Sequence, residues 1–203
     1  MDVLFPDSNT KSKGRFLRGT GGNISPVLEI PQNGRNGKWI IYYPSREVNA
    51  DYQYVNGEFD KEWVEWNENG QKKRHYFYNE GERDQTWIAW WPNGNRKIEG
   101  NFKKGLKDGQ FIFWYENGQK QEERTYSYGM WDGPSSVWFE NGQKMEFGDY
   151  KDGLPHGMFV HWDEQGQKIE EGKYKSGQRD GMYTFWYGNG QKHQERNYVD
   201  GIW

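Results

Sequence analysis

Aromatic and glycine positions recur along the chain with a period of 24 residues. One aromatic row is Tyr42, Trp66, Trp90, Trp114, Trp138, Trp162 and Trp186. A glycine row at the same spacing is Gly57, Gly81, Gly105, Gly129, Gly153, Gly177 and Gly201. The runs between the turn-forming residues are short and rich in Trp, Tyr and Phe, as β-strands are. Because the period holds without an insertion from Tyr42 to Gly201, the pattern predicts seven repeated β-hairpins.

Two kinds of turn alternate along the repeats. One is the Asn-Gly pair, which predicts a two-residue type I′ turn with φ > 0 at both residues. It occurs at Asn69-Gly70, Asn93-Gly94, Asn117-Gly118, Asn141-Gly142 and Asn189-Gly190. The other has two glycines close together, as in Gly105 and Gly109, and predicts a wider loop to the next hairpin.

Consecutive hairpins joined in this way predict an all-β fold. We expect an elongated, twisted, single-layer antiparallel meander of stacked β-hairpins. The repeats cover residues 34–203. Residues 1–33 lack the period and are expected to form an irregular N-terminal cap that can include an edge strand.

A two-residue turn at Asn69-Gly70 also fixes which side chains face each other. Trp63 should then pair with Tyr76, and Trp66 with Lys73. The same register in other repeats predicts rings opposite glycine or arginine, where they cover bare backbone or make cation–π contacts. These pairs are Trp87–Gly100, Phe111–Arg124, Phe159–Gly172 and Tyr183–Arg196. The Trp66 row should lie on one face, and the rows of Trp63, Glu65 and Tyr78 on the other.

Composition narrows the class of protein. Only 33% of the residues are hydrophobic, but 18% are aromatic, which argues against disorder. The net charge of −3 comes from interspersed residues of both signs, so we expect no nucleic-acid partner and no membrane association. The absence of cysteine excludes disulfides and cysteine-based metal sites. We expect a cytoplasmic protein, or an exported one if a signal peptide preceded Asp2 and was removed.

No motif in the sequence indicates catalysis. The four histidines have no metal-ligand spacing, and no helix follows the glycines as it does in a phosphate-binding loop. Glu122, Glu146 and Glu170 each follow a lysine by two residues, and we interpret them as part of a solvated face shared with those lysines. The turn residues include Asp60, Asp84, Asp108, Asp132 and Asp180. We therefore expect no enzyme, no metal and no cofactor.

The segments FWYENGQKQEERTYSYG (113–129) and VWFENGQKMEFGDYKDG (137–153) resemble the MORN-repeat variant family. The resemblance covers about residues 34–203 and rests on the period, the Asn-Gly-Gln-Lys turn and the Tyr-x-x-Gly ending. The first repeat departs from it, because Pro44-Ser45-Arg46 replaces the turn and puts Arg46 where the other repeats have glycine. The resemblance implies stacked β-hairpins and no catalytic residues. Bacterial proteins of this variant often serve as antitoxin or immunity components, which implies a protein partner.

The sequence thus predicts a non-enzymatic protein-binding repeat module. Through the resemblance, it would be the antitoxin or immunity component of a bacterial toxin–antitoxin pair, with the toxin as partner. The alternative is a module that binds carbohydrate or a cell surface through exposed aromatic rows. Candidate contact residues are Trp91, Tyr115, Phe139 and Tyr187, beside the Trp66 row, and Trp131, which the pattern places in an inter-hairpin loop. Exposed sheet ends also allow end-to-end self-association.

Overall fold

The computed structural model describes residues 36–203, and this part of the chain consists of strands and turns without a helix. The cap predicted for residues 1–33 lies outside the described residues. The chain divides into two compact units, Met1–Gly94 and Asn95–Trp203.

Antiparallel strands follow one another in chain order in the described part of the first unit. They are β1 (Gly37–Tyr42), β2 (Val48–Val55), β3 (Glu58–Trp66), β4 (Lys72–Asn79), β5 (Glu82–Arg83) and β6 (Gln85–Trp90). The sheet order is β1-β2-β3-β4-β6, and the short β5 pairs with β4. The interruption between β5 and β6 falls at Asp84, whose backbone N–H donates to the carbonyl oxygen of Phe77.

The second unit repeats the same arrangement. Its strands are β7 (Arg96–Lys103), β8 (Leu106–Trp114), β9 (Lys120–Ser127), β10 (Met130–Trp138), β11 (Lys144–Lys151), β12 (Leu154–Trp162), β13 (Lys168–Lys175), β14 (Gln178–Arg179), β15 (Gly181–Trp186) and β16 (Lys192–Tyr198). They pair in the order β7 to β13, then β15 and β16, with β14 on β13. The predicted all-β fold of consecutive antiparallel hairpins is confirmed.

The two kinds of turn are the reverse of the prediction. At Asn69-Gly70 only Gly70 has positive φ, and its N–H donates to Asn67 O at 2.9 Å, which is a type I turn closed by a glycine bulge. The positions predicted to be wider loops are instead type I′ turns. Tyr128 (φ 49°) and Gly129 (φ 82°) both have left-handed backbone conformations, and so do the equivalent pairs of the other repeats. Asn69 is favoured for its side chain, since its Oδ1 accepts a hydrogen bond from the Gln71 N–H at 3.1 Å.

The glycine bulge adds one residue to each Asn-Gly turn and shifts the register beside it. Trp66 therefore pairs with Lys72, and not with Lys73 as predicted. A second bulge at Lys73 then restores the predicted register, so Trp63 pairs with Tyr76. Phe111–Arg124, Phe159–Gly172 and Tyr183–Arg196 are confirmed as well. The Trp87–Gly100 pair stays a prediction.

One face of the sheet in each unit carries the buried aromatic residues, and we call it the aromatic face. Phe111 and Tyr183 are fully buried there, and rings of the Phe111 row alternate with rings of the Tyr126 row in edge-to-face contacts. The centroids are 5.0 Å apart for Phe111–Tyr126 and for Tyr183–Tyr198. In the first unit, Trp39 and Tyr54 make the same contact at 5.8 Å. The opposite face carries the Trp66 row, and we call it the tryptophan face.

Glycines on the aromatic face lie directly under rings. A Cβ added to Gly148 would lie 2.3 Å from Phe159, and one added to Gly172 would lie 2.4 Å from Tyr183. Each ring thus covers the glycine of the preceding strand. The register pair Phe159–Gly172 is correct, but the ring of Phe159 covers Gly148, the glycine on its other side.

Candidate functional site

The row of large rings on the aromatic face is interrupted at Ser135. The equivalent positions of other repeats hold the rings of Phe111, Phe159 and Tyr183. Ser135 is as buried as these rings, with 2% of its surface exposed. Arg124, its register partner, places its guanidinium 3.6 Å from the centroid of Trp131. The Arg124–Trp131 stack therefore packs beside the position where the row lacks a ring.

Trp131 lies in a strand and not in the predicted loop. It is the second residue of β10, pairs with Tyr126, and is half-buried. Its ring also meets Tyr150 edge to face at 4.8 Å. The predicted cation–π contacts of Arg124 with Phe111 and of Arg196 with Tyr183 are wrong. Arg124 lies over Trp131, and Arg196 lies over Trp203 at 4.5 Å.

Three glutamates lie on the aromatic face, and their assignment to a solvated face shared with lysines is wrong. Glu122 contacts Arg124, Glu146 Oε2 lies 3.1 Å from His161 Nε2, and Glu170 Oε1 lies 2.5 Å from Arg179. The reason is a second β-bulge inside the strand: Phe113 pairs with Glu122 but Trp114 pairs with Lys120, so the residue between Lys120 and Glu122 is extra and the two rows lie on opposite faces. Each glutamate is partly buried and has a basic partner.

The pair of Glu146 and His161 has shifted pKa values. The hydrogen bond to Glu146 raises the pKa of His161, and burial opposes it. The hydrogen bond to His161 lowers the pKa of Glu146, again against burial. Both groups therefore favour their charged forms, which is typical of an ion pair.

The tryptophan face holds lysines stacked on indole rings. Lys120 and Lys144 lie 5.6 and 5.7 Å from the centroid of Trp138, and Lys168 lies 5.3 Å from that of Trp186. Lys120 also pairs with the carboxylate three residues further on, Glu123, at 2.5 Å. The lysine stems thus cover half-buried tryptophans, while the ammonium groups of Lys120 and Lys168 pair with Glu123 and Glu171.

The predicted contact residues beside the Trp66 row differ in exposure. Tyr187 is exposed, whereas Trp91, Tyr115 and Phe139 are half-buried at the start of their turns. The Tyr115 hydroxyl donates a hydrogen bond to the carbonyl oxygen of Trp138 at 2.9 Å, so it links one hairpin to the next. A role of these residues in binding a partner stays a prediction.

A row of exposed apolar side chains lies along the edge formed by the type I′ turns of the second unit. Leu106, Met130 and Leu154 are 48%, 52% and 49% exposed, and each is the first residue after its turn. Tyr128, inside one of these turns, is 75% exposed. Sequence reasoning missed this row. Its signal was an apolar residue directly after glycine at a position that is polar in three other repeats, with Glu58, Glu82 and Gln178.

The remaining chemistry of the described residues is limited. Within residues 36–203, no group of three or more His, Asp or Glu side chains could hold a metal ion. No helix long and apolar enough to cross a membrane occurs in the same range. A shallow depression of about 350 Å³ in the first unit mixes apolar and acidic side chains. It is lined by Ile40, Glu47, Val48, Asp51, Trp66 and Gly70.

Comparison with known proteins supports the repeat assignment. Residues 86–104, 107–128 and 179–200 match the family described as MORN repeat variant. A search of curated proteins found no significant match. MORN repeats generally serve as modules for binding. The resemblance drawn from the 24-residue period and the Asn-Gly-Gln-Lys turn is thereby confirmed for these three segments.

Proposed function

We propose that this protein is a non-enzymatic repeat module that binds another protein along the type I′ edge of its second unit. The observation that carries the proposal is the row of Leu106, Met130 and Leu154, each about half exposed. Single exposed apolar residues are ordinary on a protein surface, but their recurrence at the same position of three successive hairpins favours an interaction site. Tyr128 adds an exposed ring in the same edge.

The arrangement of polar groups supports a binding role over a catalytic one. Glu122, Glu146 and Glu170 are each occupied by a basic partner on the aromatic face. On the tryptophan face, Lys120, Lys168 and Lys192 likewise pair with the glutamate three residues on. A general acid or base needs a group that is available to a substrate, whereas these groups hold one another.

A finer form of the proposal is that the partner is a toxin and this protein its antitoxin or immunity component. Support for this form comes from the resemblance to the MORN-repeat variant. The test is calorimetric titration of the full chain with a toxin encoded next to its gene, together with a toxin activity assay. We expect a stoichiometric complex and loss of toxin activity. Absence of binding by the neighbouring gene product would count against the toxin.

The same titration locates the surface. Replacing Leu106, Met130 and Leu154 together by serine should raise Kd about tenfold or more, because three apolar contacts are lost. Met182→Ser is the matched control, since Met182 is 56% exposed but lies outside the row. Equal binding by the triple variant and the wild type would move the site away from this edge.

A second candidate function is binding of carbohydrate or a cell surface. The exposed ring of Tyr187, which contacts His193 in a tilted arrangement with centroids 4.3 Å apart, favours it, because flat exposed rings are suited to stacking on sugars. A glycan array tests this candidate, and Tyr187→Ala should remove any signal that depends on that ring. End-to-end self-association remains a further proposal, and sedimentation over a range of protein concentrations would detect it.

A further inference from the structure

The shallow depression of the first unit lies on the tryptophan face and differs from the equivalent places of the other repeats. Its volume of about 350 Å³ is at the lower end of the range for ligand pockets, roughly 300–1,000 Å³, so its occupant is small. Tyr43 fixes two of its sides. The Tyr43 N–H donates to Glu47 O and the Tyr43 hydroxyl donates to Trp66 O, both at 2.8 Å.

In the second unit the same place is filled by a lysine of the chain itself. Lys120 lies 5.6 Å from the centroid of Trp138 and pairs with Glu123 at 2.5 Å. The residues of the first unit 72 positions earlier are Val48, Trp66 and Asp51. The first hairpin therefore keeps the ring and the carboxylate but lacks the cation. The position of Val48 is basic in the six following repeats, with Lys72, Arg96, Lys120, Lys144, Lys168 and Lys192.

The carboxylate of Asp51 has one donor where its counterpart has two. Glu123 Oε1 accepts from Gln110 on the preceding strand, and Glu123 Oε2 contacts Lys120 on its own strand. Lys38 occupies the position of Gln110, and its ammonium lies 2.8 Å from Asp51 Oδ2. The valine three residues before Asp51 cannot supply the second donor. The corresponding pairs of other repeats are all formed, at Arg96–Glu99, Lys168–Glu171 and Lys192–Glu195.

Glu47 leaves open a place that an amide occupies in other repeats. The amide of Gln71 lies 3.7 Å from a Cβ placed on Gly94, and Gln119, Gln143 and Gln167 likewise lie against the glycines of the following turns. A Cβ placed on Gly70 would meet no atom within 4 Å, so the side chain of Glu47 does not cover Gly70. The exchange of this amide for glutamate and the exchange of lysine for valine each lower the local charge by one.

Basic residues flank the depression without filling it. Lys72, the register partner of Trp66, lies on β4, on the side of β3 away from β2. Arg46 is exposed in the turn before Glu47. Among residues 36–203, neither of them pairs with a carboxylate of the depression or stacks on the Trp66 ring. The ring and the Glu47 carboxylate are therefore available to a cation from outside the described chain.

We propose that the depression binds a lysine side chain of a partner protein, whose ammonium takes the place that Lys120 has in the second unit. The aliphatic stem lies on the Trp66 ring, and the ammonium lies between the carboxylates of Asp51 and Glu47. Lysine is favoured over arginine because the chain itself uses lysine at this position in five of the six following repeats. The site lies in the first unit, so it is a contact in addition to the edge proposed above and does not depend on it.

A peptide titration followed by NMR tests the proposal with the full chain. The probe is a capped pentapeptide with a central lysine between alanines, and the matched peptides carry acetyl-lysine or norleucine instead. We expect a Kd in the millimolar range for the lysine peptide, together with a shift of the Trp66 indole N–H resonance, because exposed cation–π contacts and ion pairs are weak. Acetylation removes the charge and should weaken binding about tenfold or more. Trp66→Phe assigns the resonance.

Variants of the protein locate the site. Val48→Lys supplies the cation from the chain itself, as the following repeats do, and should weaken binding of the lysine peptide about tenfold or more. Val55→Lys is the matched control, because Val55 is 39% exposed and lies seven residues further along β2, roughly 24 Å away. It adds the same charge and should change Kd by less than about twofold. Circular dichroism checks that both variants are folded.

Three outcomes would overturn the inference. Equal binding of the lysine and norleucine peptides would exclude recognition of the ammonium. Wild-type affinity in Val48→Lys would place the site elsewhere on the chain. Tighter binding of free cadaverine than of the lysine peptide would replace the protein side chain by a small diamine. A partner protein that binds Val48→Lys and the wild type equally would remove the lysine contact while the proposed function stands.

Discussion

The guanidinium of Arg124 lies 3.6 Å from the centroid of the Trp131 ring, beside the one buried serine in a row of buried rings. Three repeats further on, Arg196 and Trp203 form the same pair at 4.5 Å. Trp131 is covered by Tyr150 of the following strand, whereas Trp203 is 73% exposed. The protein therefore has the same arginine–tryptophan cation–π contact twice, once with a half-buried ring and once with an exposed ring.

Trp131→Ala should destabilise the protein by roughly 2–3 kcal/mol, because it removes a half-buried ring together with a cation–π contact. Trp203→Ala is the matched control and should cost less than about 1 kcal/mol, as expected for an exposed pair. Urea unfolding followed by circular dichroism measures both. Equal losses would mean that burial of Trp131 contributes nothing beyond the cation–π contact.

Gly172→Ala should destabilise the second unit by roughly 3 kcal/mol, because the new methyl would lie 2.4 Å from the Tyr183 ring and force it to move. Gly188→Ala provides the control. Its Cβ would meet no atom closer than 3.8 Å, so the change should stay within about 0.5 kcal/mol. The measurement is the free energy of unfolding in urea. A neutral Gly172→Ala would show that the Tyr183 ring can shift freely.

The ion pair of Glu146 and His161 should make stability depend on pH. The pKa of His161 is raised above 6.5 in the folded protein, so its contribution is complete below that value and is lost as the pH rises through the folded pKa. The pKa of Glu146 is lowered below 4.5, so its contribution is present above that value and is lost as the pH falls through the folded pKa. The pair therefore stabilises most between pH 4.5 and 6.5.

Urea midpoints of the wild type and Glu146→Gln across pH 4 to 9 should differ most in that window and converge above it. An NMR titration provides the internal control. His161 should titrate above 6.5, while His75, whose pKa is lowered by burial, should titrate below it. The opposite order of the two histidines would contradict the assignment.

Asn141→Ala should cost about 1–2 kcal/mol, because the side chain makes two hydrogen bonds. Its Oδ1 accepts from the Gln143 N–H at 2.9 Å, and its Nδ2 donates to Glu164 O in the next hairpin at 2.8 Å. Gln165, the equivalent residue of that hairpin, is the control. In that hairpin the Gln167 N–H donates to Asp163 Oδ1 at 2.8 Å and not to the side chain of residue 165, so Gln165→Ala should change the unfolding free energy by less than about 0.5 kcal/mol.

The repeat period was enough to predict the hairpins and most of their register. Phe111–Arg124 and Tyr183–Arg196 could be paired from the sequence because a fixed period forces the same alignment in every repeat. The turns were misassigned because Asn-Gly suits both a type I′ turn and a type I turn with a glycine bulge. A second bulge between Lys120 and Glu122 also leaves the spacing of the repeats unchanged, yet it places each lysine on the face opposite its glutamate.

The candidate site was harder to predict than the fold. Trp131 follows a glycine turn in the sequence, and its place in β10 depends on a bulge that lets the strand begin immediately after that turn. The Glu146–His161 pair joins residues on neighbouring strands, so it follows only once the correct face of Glu146 is known. The row of Leu106, Met130 and Leu154 escaped notice because its members are ordinary aliphatic residues in a chain dominated by aromatic rows.

Each type I′ turn requires glycine at its second position but accepts many side chains at its first. That first position holds Asn56, Glu80, Lys104, Tyr128, Asp152, Ser176 and Asp200, all with left-handed φ. The backbone conformation of the turn therefore does not restrict the type of side chain at this position. Single substitutions at this position can change the surface of the edge while strand pairing stays intact. New binding specificities can therefore arise there without a new fold.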